Sequence, residues 1–257
     1  MKKMVVVAAL ALGLVLMSIP AFALELGTNI TIYDGSGSGT GWYGAQEDGE
    51  VEPNCVATQA WDLEGFFLKG TTLTMVAGFD FAGNTSQPSG DIFLDIDGDY
   101  KAGDKPDTNK IEQVSNSYGY DYALDLDFAN KQYTIYLLDE NSQLNSVFYA
   151  QNQGSTPWEY VSDATDIVGT YTLGYDTGLS NAAVGGLLGG VHNAVAIDLG
   201  LTGINFSKGF LAHFTMRCGN DNLIGVSPVP EPQTLLLMGI GLLGLAFVGR
   251  KKIGDRA

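Results

Sequence analysis

Apolar positions along this chain fall into two unlike patterns. Between residues 24 and 227 they come in short runs rich in β-branched and aromatic residues, whereas near both ends they form unbroken stretches. The interior runs are Asn29–Tyr33, Thr58–Leu68, Thr71–Phe81, Asp91–Ile96, Tyr118–Phe128, Gln132–Leu138, Thr170–Tyr175, Ala194–Leu199 and Phe210–Arg217. Several alternate with period two, the spacing that sends successive strand side chains to opposite faces. In the clearest of them Tyr120, Tyr122, Leu124, Leu126 and Phe128 share one face, and Asp121, Asp125 and Asp127 take the other. Lys69-Gly70, Gly83-Asn84 and Ala129-Asn130 read as turns between runs. No stretch of the interior has the spacing of an amphipathic helix. The pattern predicts an all-β fold, a single β-sandwich or jelly-roll domain of about nine strands. The glycine-rich Asn181–Gly190 stretch reads as either a buried turn or a flap.

The end stretches predict a different handling. Lys2 and Lys3 precede an apolar run from Met4 to Ile19, and Ala21-Phe22-Ala23 supplies a small-x-small site. This is the layout of a signal peptide over residues 1–23, removed by signal peptidase. At the other end Pro228, Pro230 and Pro232 keep the chain extended, an apolar stretch runs from Thr234 to Gly249, and Arg250, Lys251 and Lys252 follow. As a helix that stretch rises roughly 24 Å, a little short of a ~30 Å hydrocarbon core. The basic cluster beyond it is the cytoplasmic charge that fixes a span's orientation. A C-terminal transmembrane helix is therefore expected within residues 228–257, with residues 24–227 forming an extracytoplasmic domain.

Val229, Pro230, Glu231 and Pro232, the apolar stretch with Gly239, Gly241 and Gly244, and the basic Arg250, Lys251 and Lys252 together resemble the PEP-CTERM sorting signal of Gram-negative bacteria. The resemblance implies an exported protein processed by an exosortase, a membrane-embedded cysteine transpeptidase. It further implies transient membrane association as an inner-membrane-anchored intermediate, then delivery to the cell surface or extracellular matrix. The family is linked to exopolysaccharide and biofilm matrix. None of this says what the body binds.

Charge narrows the partners. The chain has 29 acids and 13 lysines and arginines; two of those acids and six of those bases lie in the end segments, leaving 27 against 7, or −20, on residues 24–229. So acidic a body repels nucleic acid and anionic membrane surfaces and is a natural host for divalent cations. The two cysteines, Cys55 and Cys218, sit near opposite ends of the mature region. In an oxidising compartment they are expected to pair as a staple.

The segment richest in chemistry runs from Asp91 to Asp104, with carboxylates at Asp95, Asp97 and Asp99, a glycine turn at Gly98 and a further carboxylate at Asp104. Oxygen-rich loops of this kind can wrap Ca²⁺, which takes six to eight oxygens. It is not an EF-hand, because Tyr100 and Pro106 stand where that loop needs Gly and Glu. A calcium site and a solvated acidic turn both remain open, with Glu50 or Glu52 as further donors if the fold brings them near. The loop resembles the Asp-rich strand-end loop of carbohydrate-binding and DOMON-like β-sandwiches, and Gly119–Asp125 resembles the strand that follows it. That resemblance implies a sandwich whose loop binds calcium in some members and whose ligands, sugar or heme, vary.

Trp42, Tyr43 and Trp158, flanked by Gly and Pro, are candidate stacking platforms for sugar rings, while Trp61 sits in a strand run and reads as core. Catalytic signals are few: two histidines, His192 and His213, no Gly-x-Ser-x-Gly elbow and no His-Glu-x-x-His helix. His213 reads as structural, and heme ligation through Met75, Met216 and His213 as a weak option. The expectation is a non-catalytic structural or carbohydrate-binding component associated with exopolysaccharide. An extracellular polysaccharide-active enzyme, calcium-dependent or not, is the alternative.

Overall fold

The computed structural model describes residues 24–32, 59–101, 110–148 and 155–228. Within them the chain forms β1 (Thr28–Asn29), β2 (Leu63–Lys69), β3 (Thr72–Ala77), β4 (Ile92–Asp95) and β5 (Gln113–Ser115). These are followed by β6 (Tyr122–Asp127), β7 (Gln132–Leu137), β8 (Gln143–Asn145), β9 (Glu159–Ser162) and β10 (Asp166–Thr172). The last are β11 (Gly174–Leu179), β12 (His192–Asp198), β13 (Leu211–Thr215) and β14 (Asn222–Val226). Short 3-10 turns lie at Gln59–Trp61 and Leu199–Leu201.

All strand pairings are antiparallel, and they build three sheets. A five-stranded sheet has the order β1-β2-β3-β12-β11, a six-stranded sheet β10-β7-β6-β4-β13-β14, and a small sheet β5-β8-β9. Period-two alternation explains how they layer. Leu63, Phe66, Leu73, Met75, Val195 and Ile197 from the five-stranded sheet meet Ile92, Leu94, Leu124, Tyr133, Ile135, Ala212 and Phe214 from the six-stranded sheet in one buried cluster. The intervening residues Phe93 and Ala123 face the other way and, with Tyr118, Tyr120 and Leu211, form a second cluster with Leu144 of the small sheet. A third cluster, Phe67, Val76 and Ala194 with Leu26 and Val184, lies on the outer face of the five-stranded sheet.

Both open sides between the large sheets are bridged by the chain itself. Ile30 N–H donates to Phe66 O at 2.9 Å, while Ile32 N–H donates to Ile224 O and Val226 N–H to Ile30 O. The N-terminal segment thus joins β2 of one sheet to β14 of the other. Opposite it, β10 and β11 belong to different sheets, with buried Leu173 at the corner between them. Closing edges in this way leaves fewer unpaired backbone groups for intermolecular pairing.

The all-β expectation holds, and the strand count differs: the described residues form fourteen strands in three sheets where about nine in one sandwich were expected. The strands β5, β8, β9 and β14 (QVS, QLN, EYVS and NLIGV) are short or polar and carry little periodic signal. The single run read over 170–175 crosses the β10–β11 corner. Tyr120 also parts from Tyr122, Leu124 and Leu126, because it precedes β6 and packs into the cluster beneath the small sheet. Asn181–Gly190 forms a turn pinned by Val184, which is 1% exposed, and by Gly186 N–H closing onto Asn181 O at 2.7 Å, with Leu188 at 52% exposure on its outer side. Among the described residues no helix is long and apolar enough to cross a membrane. The expected transmembrane stretch lies outside them.

Candidate functional site

The acidic loop leaves β4 at its last residue, Asp95, which is buried, and turns at Gly98 with φ +83°. Asp95 organises the turn: Oδ1 accepts Asp97 N–H at 3.1 Å and Gly98 N–H at 2.8 Å, and Oδ2 accepts Tyr100 N–H at 3.2 Å. Asp121, just before β6, accepts Ile96 N–H at 2.7 Å, which locks it against the loop. One carboxylate oxygen from each of Asp95, Asp97 and Asp121 then lies within 4.8 Å of the others. Oxygens that each sit 2.3–2.6 Å from a calcium ion are compatible with such spacing.

Electrostatics agree that this corner is crowded with negative charge. Burial raises the Asp121 carboxyl above its ordinary value, and the charges of Asp97, Asp95 and Asp99 raise it further against the Ile96 hydrogen bond. Asp97, Asp99, Asp121, Asp139 and Glu140 line a polar cavity of about 670 Å³ in which Lys101 is the one basic group among the lining residues. Asn116 lines it as well. Its Nδ2 donates to Tyr120 O at 2.7 Å and Asp139 O at 3.2 Å, while its enclosed Oδ1 has no hydrogen-bond partner.

Of the residues expected as ligands, the structure brings Asp95 and Asp97 together and leaves Asp99 outside the three-oxygen cluster. Asp104, Glu50 and Glu52 lie outside the described residues. Asp121 was read as one polar position of a strand, and nothing in one-dimensional spacing marks it as the partner of a loop 24 residues earlier. Gly119, at φ +80°, completes the approach: a Cβ there would stand 2.4 Å from Asp99 Oδ1 and 3.0 Å from Asp99 O. Gly119→Ala should therefore cost more than about 1 kcal/mol, read by urea unfolding. An unchanged midpoint would mean the loop is looser than it stands.

Of the buried acids apart from the loop, Glu64 and Asp91 join separate elements. Glu64 and His192 are fully buried on the outer face of the five-stranded sheet, with His192 Nδ1 2.7 Å from Glu64 Oε2. Gln59 Nε2 donates to Glu64 Oε1 at 2.9 Å, and His192 Nε2 is 3.1 Å from Asn181 Oδ1. This pair ties the glycine-rich turn to β2 and β12, and sequence spacing gave no sign of it. Asp91 accepts Tyr160 N–H at 2.8 Å and Leu126 N–H at 3.3 Å, so it joins β9 to β6. Burial first, then the charge of Asp125, drives its carboxyl well above the ordinary value. A raised folded-state value stabilises fully below about pH 3.8 and is lost as pH rises through the folded pKa. The protein should therefore unfold at a lower temperature at pH 7.5 than at about pH 5, and Asp91→Asn should flatten that slope. An identical slope in the variant would remove Asp91 as its source.

The aromatic candidates separate. Trp158 is 5% exposed and its backbone sits between Asn145 O and Asp91 N–H, so its ring is packed and offers no open platform. Trp42 and Tyr43 lie outside the described residues. Trp61, read as core, is only partly buried and lines a surface cavity with Phe148, which is 51% exposed. His213 is fully buried and stacks on Tyr120 at 5.8 Å, the structural role expected of it. Met75 and Met216 belong to the cluster between the large sheets, on the other face of the six-stranded sheet from His213, so the three do not converge on a heme. Cys218 is half-buried and burial raises its thiol; Cys55 lies outside the described residues, and with it the expected pairing.

Comparison with known proteins bears on the tail. Residues 228–252 match the PEP-CTERM protein-sorting motif. The chain carries a PEP-CTERM sorting signal. The PEP-CTERM motif implies export, exosortase processing and a membrane-anchored intermediate on the way to the cell surface. Apart from Pro228 the matched residues, among them Pro230, Glu231, Pro232, Arg250, Lys251 and Lys252, lie outside the described residues. No curated protein and no solved structure matches the chain.

Proposed function

We propose that this exported PEP-CTERM protein is a non-catalytic cell-surface or matrix component that binds exopolysaccharide and is stiffened by calcium. The sorting motif is the observation that carries the reading, since it directs the β-body to the surface where such polymers are laid down. The Asp95–Asp97–Asp121 cluster supports the calcium part, because three carboxylates held together at the end of β4 repel one another until a cation joins them. Asn116 Oδ1, facing no donor, is a further oxygen beside the same cavity.

The alternative of a polysaccharide-active enzyme would need an acid of raised pKa open to substrate. Asp91 has a raised pKa, but it is 6% exposed and engaged with two backbone donors; Asp121, also raised, lines the acidic cavity but is locked by Ile96 N–H within the three-carboxylate cluster, the arrangement of a cation site. That favours the binding reading. The direct test is retention of the full chain, purified in detergent, on the producing cell's own exopolysaccharide with calcium and then with chelator. Retention that falls on chelation supports both parts; retention in neither condition removes the carbohydrate part.

A further inference from the structure

The cavity beside Trp61 is where the chemistry of sugar recognition and a fixed geometry coincide. Among the described residues it is lined by Trp61, Gln87, Phe148, Cys218 and Asn220, and it measures about 250 Å³. Two aromatic side chains and two carboxamides in one small concavity give apolar surface for the C–H face of a ring and polar edges for its hydroxyls. Gln87 Oε1 is enclosed and has no hydrogen-bond partner among the described residues, so a hydroxyl would reach it only when the side chain turns outward.

The walls come from four separate segments, and backbone hydrogen bonds hold each in place. Leu63 N–H donates to Asp221 Oδ2 at 2.7 Å, which ties the start of β2, and so Trp61, to the β13–β14 turn that carries Asn220. Phe148 N–H donates to Arg217 O at 3.0 Å, and Arg217 N–H donates to Pro88 O at 3.1 Å. Gln87 N–H is held by Asn84 Oδ1 at 3.0 Å. Trp61 also leans on Phe79 of the core, with ring centroids 6.5 Å apart. A site assembled this way loses little freedom when it binds.

We infer that this cavity is the glycan subsite, taking a single neutral pyranose residue of a polysaccharide. The inference rests on the carbohydrate-binding reading above and gives it a location away from the acidic loop. Neutrality follows from the body's net charge of −20, counted from the sequence, which repels uronate and sulfated polymers.

The test uses the full chain in detergent, titrated with neutral hexose and N-acetylhexosamine oligosaccharides and, in parallel, with uronate oligosaccharides. The expected result is binding to a neutral probe with the uronates weaker by roughly tenfold or more. Trp61→Ala and Phe148→Ala should each weaken binding by roughly tenfold, the loss expected for an aromatic anchor. Trp61→Phe, which keeps an aromatic face against Phe79, should stay within roughly threefold of wild type. Phe148 is half exposed, so its variant reports on the cavity even if Trp61→Ala fails to fold. Wild-type binding undiminished in Phe148→Ala and Trp61→Phe/Phe148→Ala overturns this location and leaves the carbohydrate reading standing. Preference for uronates overturns the neutral class. No binding by wild type to any probe, nor to the native exopolysaccharide, overturns the carbohydrate reading itself.

Discussion

Glu64→Ala is expected to lower the unfolding free energy by about 1–3 kcal/mol, the loss seen when a buried polar group is left without its hydrogen-bond partner. The reason is local. With Glu64 gone, His192 remains fully buried beside an emptied site, and Gln59 loses an acceptor. The glycine-rich turn is then held through Asn181 by a histidine that has lost its own anchor. Burial raises Glu64 above its ordinary value of 4.5, against the hydrogen bonds from Gln59 and His192 and the His192 charge. Its stabilising share is therefore complete below about pH 4.5 and declines as pH rises through the folded pKa. Glu64→Gln keeps the shape and removes the titration, so it should cost less than alanine and lose this pH dependence. Urea unfolding at about pH 5 and pH 8 measures both effects. An alanine variant within about 0.5 kcal/mol of wild type, the range of ordinary surface changes, would show that the pair is not holding the turn.

Calcium at saturating concentration should raise the melting temperature by roughly 5–10 °C. A ligand at 100 times its Kd stabilises by about 2.7 kcal/mol, and each kcal/mol moves a domain of this size by about 2–4 °C. Asp97→Ala should lower the melting temperature in calcium and not in chelator, where loss of its charge relieves Asp121. Asp121→Asn carries a second signature with the opposite sign. Because burial and three neighbouring carboxylates raise Asp121, its ionised form costs stability at neutral pH without a cation. The asparagine can still accept Ile96 N–H, so in chelator this variant should melt higher than wild type, and its response to calcium should vanish. Equal calcium shifts in wild type, Asp97→Ala and Asp121→Asn would reduce the loop to a solvated turn.

These two sites differ in how far the sequence foretold them. Asp95 and Asp97 were legible because carboxylates spaced around a glycine at a strand end have few local uses. Asp121 was not, since it reaches the loop only through the antiparallel pairing of β4 with β6 and the Asp121 N–H bond to Leu94 O at 2.8 Å. Glu64 and His192 carry no signature at all: they are 128 residues apart and meet because β2 and β12 flank β3. Trp158 differs from its local reading for a similar reason: neighbouring Gly and Pro made it look exposed, yet just before β9 it is 5% exposed, whereas Trp61 packs on Phe79 as a strand run suggests and keeps one side on a surface cavity.

By itself the sequence determined what local chemistry can carry. Period-two alternation and turn residues set the all-β class, and proline, apolar length and terminal basic charge set the sorting signal, because each acts over a few residues and needs no distant partner. Tertiary structure alone decided which faces meet. The third sheet, the closure of both edges by the chain, the buried Glu64–His192 pair and the grouping of Asp121 with the acidic loop all depend on strand order. Strand order is fixed by which apolar faces bury together across the whole fold, a global balance that no local run of residues encodes.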